Sequence, residues 1–324
     1  MTGYLALGAC LTLAVFFVAS TAAVVLMRVA WALASHRLES RPPRARAAWF
    51  FAFRTSPTVV GLVAGVLMVA PAYVAFEPRG TGEAVAISLG ALALAGGASL
   101  SAGVLRVWAE NRRTGRIVRC WLSGARPLQL GALQVPAFQI RSAGPFVVLA
   151  GWRRPKVLVS RRVLDCCSAE ELAAIVAHET AHLVARDNLK RIALAACADL
   201  LCWTRWSRQL EERWLDASEE AADDRAVATG GDPTELAGAL VKVARLAAVG
   251  EPELVASAIC RGERVARRVR RLLNDASPPV SPCLAWARVG GAMALAAGIT
   301  LGLAGGTTWR HVHGLLELVV AVLP

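Results

Sequence analysis

Charge is what this sequence has least of for its length. Asp, Glu, Lys and Arg make up 19% of its 324 residues against a hydrophobic share of 56%, and the mean hydropathy is +0.48. A wholly soluble globular chain does not carry that balance. The deficit is concentrated: no charged side chain occurs over residues 2–27, 55–76, 84–105 or 289–309, and each run meets the roughly 20 apolar residues that a bilayer crossing needs. A polytopic membrane protein is expected. The first run lacks a basic segment before it and far exceeds the ~7–15 residues of a signal-peptide core, so it reads as a retained anchor. Between the third and fourth runs, residues 106–288 are numerous enough to bury a core of their own.

Acid is scarce beside base, with 24 Asp and Glu against 36 Lys and Arg and a net charge of +12. Three segments, 28–54, 106–119 and 261–271, hold five or six Arg and a single Glu each; outside them the chain is slightly acidic. No basic face is left over for nucleic acid. The placement suits the positive-inside rule and attraction to anionic lipid headgroups. It predicts the N-terminus outside, the 28–54 loop inside, the Glu77 to Glu83 turn outside and the 106–288 domain inside, as in a bacterial-type inner membrane. Trp31, Trp49, Trp108, Trp286 and Trp309 fall at or just beyond span ends, as an interfacial belt requires. Gly61 with Gly65, and Gly298, Gly302 and Gly306, recur every four residues, a spacing that lets helices pack closely. Pro57 and Pro71 predict a bend in the second span.

Eight cysteines include no Cys-x-x-Cys spacing, and all but Cys10 fall in the segment placed inside the cell. Free thiols in a reducing compartment are expected, with Cys166 and Cys167 as packing residues. Within the domain, Leu133 to Ile140, Phe146 to Ala150 and Lys156 to Ser160 read as short strands. From Ser168 the period turns helical, with Glu171 completing a capping box. Further helices are expected over Asp187 to Trp203, Arg208 to Thr229, and from Pro233. Pro278, Pro279 and Pro282 break the chain before the last span.

Histidine is rare too. Of five, His36, His311 and His313 lie near membrane ends, so the domain has two, both in His178-Glu179-Thr180-Ala181-His182. A spacing of four puts both imidazoles on one helix face, where they can share a Zn²⁺ while Glu179 acts as general base. A third ligand is needed. The metzincin pattern is excluded, because Ala185 and Asn188 stand where it needs Gly and His. Glu219 and Asp223 share a face of a later helix. Glu219 suits the ligand position and Asp223 suits the far nitrogen of a ligand His, with Glu220 as the other candidate ligand. The only tyrosines, Tyr4 and Tyr73, lie in or beside spans, which leaves Arg186, Asn188 and Arg225 as candidate transition-state stabilisers.

The order Gly144-Pro145-Phe146, Arg154 to Ser160, Ser168-Ala169-Glu170-Glu171-Leu172, His178 to His182, Arg186-Asp187 and Glu219-x-x-Ala222-Asp223 resembles the integral-membrane zinc peptidases of the BlaR/MecR antirepressor family. More weakly it is similar to the HtpX and CAAX-processing peptidases. The resemblance implies an α+β chain: a four-span helix bundle (spans 1–3 within residues 1–107, the fourth within 284–324) and an inserted, mainly helical zincin-like domain with a small edge sheet, residues 108–283. It also implies that the Lys156 to Ser160 strand is the edge that pairs with substrate and that Asp187 braces the site. The expected activity is zinc-dependent hydrolysis of a protein or peptide substrate, a cytosolic transcriptional repressor by that likeness. A membrane quality-control protease and an inactive scaffold are the alternatives. The β-lactam sensor of that family is missing: none of Lys156, Lys190 and Lys242 has a Ser three positions earlier.

Overall fold

The first three uncharged runs become helices that overrun them into the basic segments. In a computed structural model, α1 spans Thr2–Glu39, α2 Pro43–Leu62, and α4 Ile87–Leu122. Between them, α2 continues through a π-helical stretch, Val63–Val69, into α3, Ala70–Phe76. The structure describes residues 2–79, 85–130, 135–141, 144, 146–199, 204–248, 255–274, 310, 311, 313, 314 and 317. The expected fourth span, the proline breaker, residues 200–203 and most of the tail lie outside these residues. Three helical stretches, Thr2–Glu39, Pro43–Phe76 and Ile87–Leu122, are long and apolar enough to cross a membrane. The expected 28–54 loop is two helix ends joined over 40–42, where Pro42 and Pro43 start α2.

The glycine spacing acts as expected where α2 runs into the π-helical stretch. A Cβ on Gly61 would lie 2.8 Å from the Phe16 carbonyl oxygen, and one on Gly65 would lie 2.6 Å from that of Thr12, so α1 and α2 touch backbone to backbone. In α4, Gly96 does the same against Leu13, at 2.3 Å. Gly96→Val should therefore force the α1–α4 pair apart and cost about 1–3 kcal/mol or more. A thermal melt in detergent micelles checks it, and an unchanged melting temperature counts against this packing. Pro57 and Pro71 deprive the Phe53 and Leu67 carbonyls of their helical partners, and the π-helical stretch falls between these two prolines.

Beyond α4 comes a four-stranded mixed sheet: β1 Arg126–Leu128, β2 Ala137–Ile140, β3 Val147–Ala150 and β4 Lys156–Ser160, in the order β1-β2-β4-β3. β4 runs parallel to β2 and antiparallel to β3. Its alternate residues face opposite cores. Val157 and Val159 join Val163, Ile175 and Ala239, while Leu158 joins Ile140 and Ala150 against Trp121 at the end of α4. A strand buried on both faces is an interior strand. The expectation that Lys156 to Ser160 is the free edge is therefore corrected: the edges are β1 and β3.

The helices α5 (Arg161–Cys166), α6 (Ala169–Ala185), α7 (Asp187–Ala196), α8 (Arg205–Ala228), α9 (Pro233–Ala248) and α10 (Val255–Asn274) complete the described chain. Leu210, Trp214 and Ala217, at helical spacing on α8, pack with Phe50 and Phe53 of α2 and Leu38 of α1. Beneath this apolar seam lies a buried charge. Arg54 of α2 is fully buried; its Nε donates to Glu211 Oε1 at 2.9 Å and its Nη1 to Asp199 Oδ2 at 3.1 Å. Thr58 also donates to Asp199, at 2.6 Å, and accepts from the Ala198 amide at 3.0 Å. The second candidate span is thus fastened to the segment just before α8.

Candidate metal centre

Ser168 starts α6 with both halves of a capping box. The Glu171 amide donates to Ser168 Oγ at 3.1 Å, and the Ser168 amide donates to Glu171 Oε2 at 2.8 Å. At the other end Arg186 takes a left-handed conformation, φ 55° and ψ 39°. That single turn starts α7 at once and brings Asp187 back against α6, where its Oδ2 meets His182 Nδ1 at 2.7 Å. Lys190 Nζ holds the other oxygen at 2.9 Å.

On α6, His178 and His182 stand one turn apart with their Nε2 atoms 3.2 Å from each other. α8 crosses them and supplies Glu219, whose Oε2 is 3.5 Å from His178 Nε2 and whose Oε1 is 3.6 Å from His182 Nε2. Asp223, one turn on, places Oδ1 2.9 Å from His178 Nδ1. Ala222 between them is buried, a small residue where α6 and α8 meet. The fit to a metal can be tested on these distances. A tetrahedral ion with ligands at about 2.0–2.1 Å sets its ligand atoms about 3.3–3.4 Å apart. The two Nε2 atoms, 3.2 Å apart, fit that spacing, and Glu219 brings Oε2 to 3.5 Å of one and Oε1 to 3.6 Å of the other, with one ligand atom from each residue inside 4.8 Å. Both Nδ1 atoms face carboxylates, which turns both Nε2 atoms to the common point. Two imidazoles and one carboxylate also form a donor set that leaves a fourth position open.

Electrostatics agrees with the geometry. Burial opposes charge on His182, yet Asp187 and Glu219 push its pKa up to about 10; His178 is raised in the same way by Asp223 and Glu219. Burial likewise opposes the Glu219 carboxylate, and the two imidazoles with Arg268 override it, holding it well below the usual carboxylate range. The carboxylates that favour a proton on each imidazole concentrate negative charge at the site. A divalent cation answers the same charge while leaving the imidazoles neutral and ligating. Glu179 sits between the two ligands in sequence; burial raises its pKa, and the Leu149 backbone of β3 hydrogen-bonds its carboxylate.

The structure brings His178, His182, Glu219, Asp223 and Asp187 together, with the three ligand groups converging within 4.8 Å. Glu220 is turned elsewhere, to Arg46 of α2 and Arg271 of α10. Of the candidate stabilisers, Asn188 is committed: its Nδ2 donates to the carbonyls of Leu149 and Gly151 at 2.8 and 2.9 Å, tying β3 to α7. Arg186 and Arg225 are exposed to solvent. Of the cations that reach Glu219, Arg191 of α7 stands 4.0 Å from Oε1, and Arg268, 3.0 Å from Oε2, was hidden among the six arginines of 261–271. Its signal was the acidic face of α8, with Asp216, Glu219, Glu220, Asp223 and Asp224 in need of counter-charge.

Residues 145–222 match Peptidase family M48. The matched segment holds the sheet edge, α6 and Glu219, and so the three ligand groups themselves; it ends just short of Asp223. No curated protein matches the chain. The chain therefore combines a segment similar to a family of metal-dependent peptidases with helices able to span a membrane.

Proposed function

We propose that this protein is an integral-membrane zinc endopeptidase that hydrolyses peptide bonds of a protein substrate at the cytosolic face. The single observation that carries the reading is the convergence of His178 Nε2, His182 Nε2 and a Glu219 oxygen within 4.8 Å, beside the half-buried carboxylate of Glu179, which is not one of them. A zinc ion there supplies a Lewis acid that lowers the pKa of water from 15.7 towards ~7 and polarises the scissile carbonyl. Glu179 takes the proton of the attacking water on its carboxylate and delivers it to the leaving amine. Its burial suits that exchange, because a raised carboxylate pKa lies closer to neutral pH. Asp187 and Asp223 hold the imidazoles in the ligating orientation. β3, an edge strand next to α6 with its backbone on Glu179, is the strand along which an extended substrate adds.

The cytosolic side rests on the arginine-rich segments 28–54 and 106–119 that flank the candidate spans. For substrate we favour a transcriptional repressor, on the likeness of the motif order to BlaR/MecR peptidases. Two measurements test the assignment. Metal analysis of the purified chain should find one zinc per chain, and a chelator should abolish cleavage that added zinc restores. Proteomes of cells expressing wild type or Glu179→Gln should differ in one cytosolic substrate; loss of many membrane proteins would instead favour quality control.

A further inference from the structure

α10 turns one arginine inward to the metal centre. Arg268 Nε and Nη2 hold the two oxygens of Asp223 at 2.8 and 2.7 Å, and Nη1 donates to Glu219 Oε2 at 3.0 Å. Its neighbours on the same face extend the contact: Arg264 and Arg267 face Asp216, at 3.6 and 3.4 Å, while Arg271 pairs with Asp224 and donates to the Glu220 carbonyl at 3.1 Å. α10 thus lies on α8 as a ladder of ion pairs. Only the Arg268 rung touches a ligand.

We propose, resting on the metallopeptidase reading above, that Arg268 is a positioning residue of the metal centre, so that docking of α10 on α8 and binding of the ion are linked and each favours the other. Repulsion between the guanidinium and the ion argues against this at first sight. The two-point grip on Asp223 answers it, because the bidentate pair carries almost no net charge and is buried together, Asp223 at 1% exposed and Arg268 at 13%. What is left is orientation. Glu219 is about a quarter exposed (26%), so its carboxylate has room to turn away. Nη1 takes one of its oxygens and leaves Oε1 towards His182. Through Asp223 the same guanidinium fixes the carboxylate that stands 2.9 Å from His178 Nδ1, in charge contact but off the direction of a hydrogen bond, and so biases where Nε2 points. Partners that orient ligands in this way are worth about 10–100-fold in metal affinity. Linkage requires the same factor to appear in the docking of α10.

The test uses the full chain in detergent micelles. Zinc affinity is measured by competition with a chromogenic chelator, and hydrogen exchange is followed over residues 262–274 with and without zinc. Arg268→Ala should lose about 10–100-fold in affinity. Arg268→Lys should lose less but still measurably, since an ammonium cannot grip a carboxylate at two points. Arg267→Ala, which removes an exposed pair to Asp216, should leave affinity unchanged. Zinc should slow exchange in α10 of the wild type and have no such effect in Arg268→Ala. A folded Arg268→Ala chain that binds zinc as tightly as wild type overturns the proposal; so does one that binds more tightly, which would make the guanidinium a competitor of the ion. If Arg268→Ala does not fold, wild-type affinity in Arg268→Lys overturns it. A wild-type chain that holds no zinc defeats the metallopeptidase reading itself, and this inference with it.

Discussion

Glu179→Gln should bind one zinc per chain, as wild type does, and lose roughly 100- to 10,000-fold in kcat, the range that a positioned general base contributes. The substitution keeps the shape of the side chain and an oxygen that can accept from the Leu149 backbone, so β3 and α6 stay as they are. It removes a group that faces the site and can accept a proton without leaving the metal: the candidate ligand set is His178, His182 and Glu219, and Glu179 is outside it. Loss of zinc in this variant would move Glu179 into the ligand set. Full activity with zinc retained would mean that another group takes the proton. Peptide cleavage and metal content measured on the same preparation separate these outcomes, and a His178→Ala variant that loses both zinc and activity serves as the contrast.

How much of this was legible in the sequence follows from the range of each signal. The ligands on α6 are four residues apart, and a helix alone brings them together, so His178, His182 and Glu179 were readable as chemistry. Asp187 and Asp223 were proposed from motif order, and the structure puts each against an Nδ1. Phe146 to Ala150 and Lys156 to Ser160 were readable to within a residue of β3 and β4, Leu133 to Ile140 started earlier than β2 does, and β1 was missed; strand order was not readable, because pairing depends on contacts far apart in sequence. A signal for β4 did exist. Val157, Leu158 and Val159 are apolar without alternation, the pattern of a strand covered on both faces, and that outweighs a likeness suggesting a free edge. Arg268 was lost for a different reason. It stands in a run where every arginine serves topology equally well by the positive-inside rule, and no local spacing separates the one that reaches Glu219 and Asp223, 45 residues away from the latter, from its neighbours.

The same blindness applies to Arg54, counted in the sequence as one more basic residue near the membrane and found with none of its side chain exposed. Arg54→Met should destabilise the chain by about 3–5 kcal/mol, the cost of stranding a buried partner charge. Asp199, equally buried, loses the Arg54 guanidinium and keeps its hydrogen bond from the Thr58 hydroxyl. Glu211 loses less: it is 38% exposed and also accepts from Ser207 at 3.2 Å. The pair Arg54→Met with Asp199→Leu removes both buried charges, so most of the lost stability should return, as when buried ion pairs elsewhere are replaced by packing. Chemical unfolding in micelles measures all three chains. A double variant as unstable as the single one would show that the fastening works through shape or hydrogen bonding rather than charge. Recovery carries a further consequence for the site. Arg46, on the same helix as Arg54, pairs with Glu220 beside the ligand Glu219, so α8 stays registered on the second candidate span by that contact and its apolar seam. The double variant should therefore recover zinc affinity together with stability, whereas recovered stability without zinc affinity would assign Arg54 to the alignment of α8 rather than to its docking.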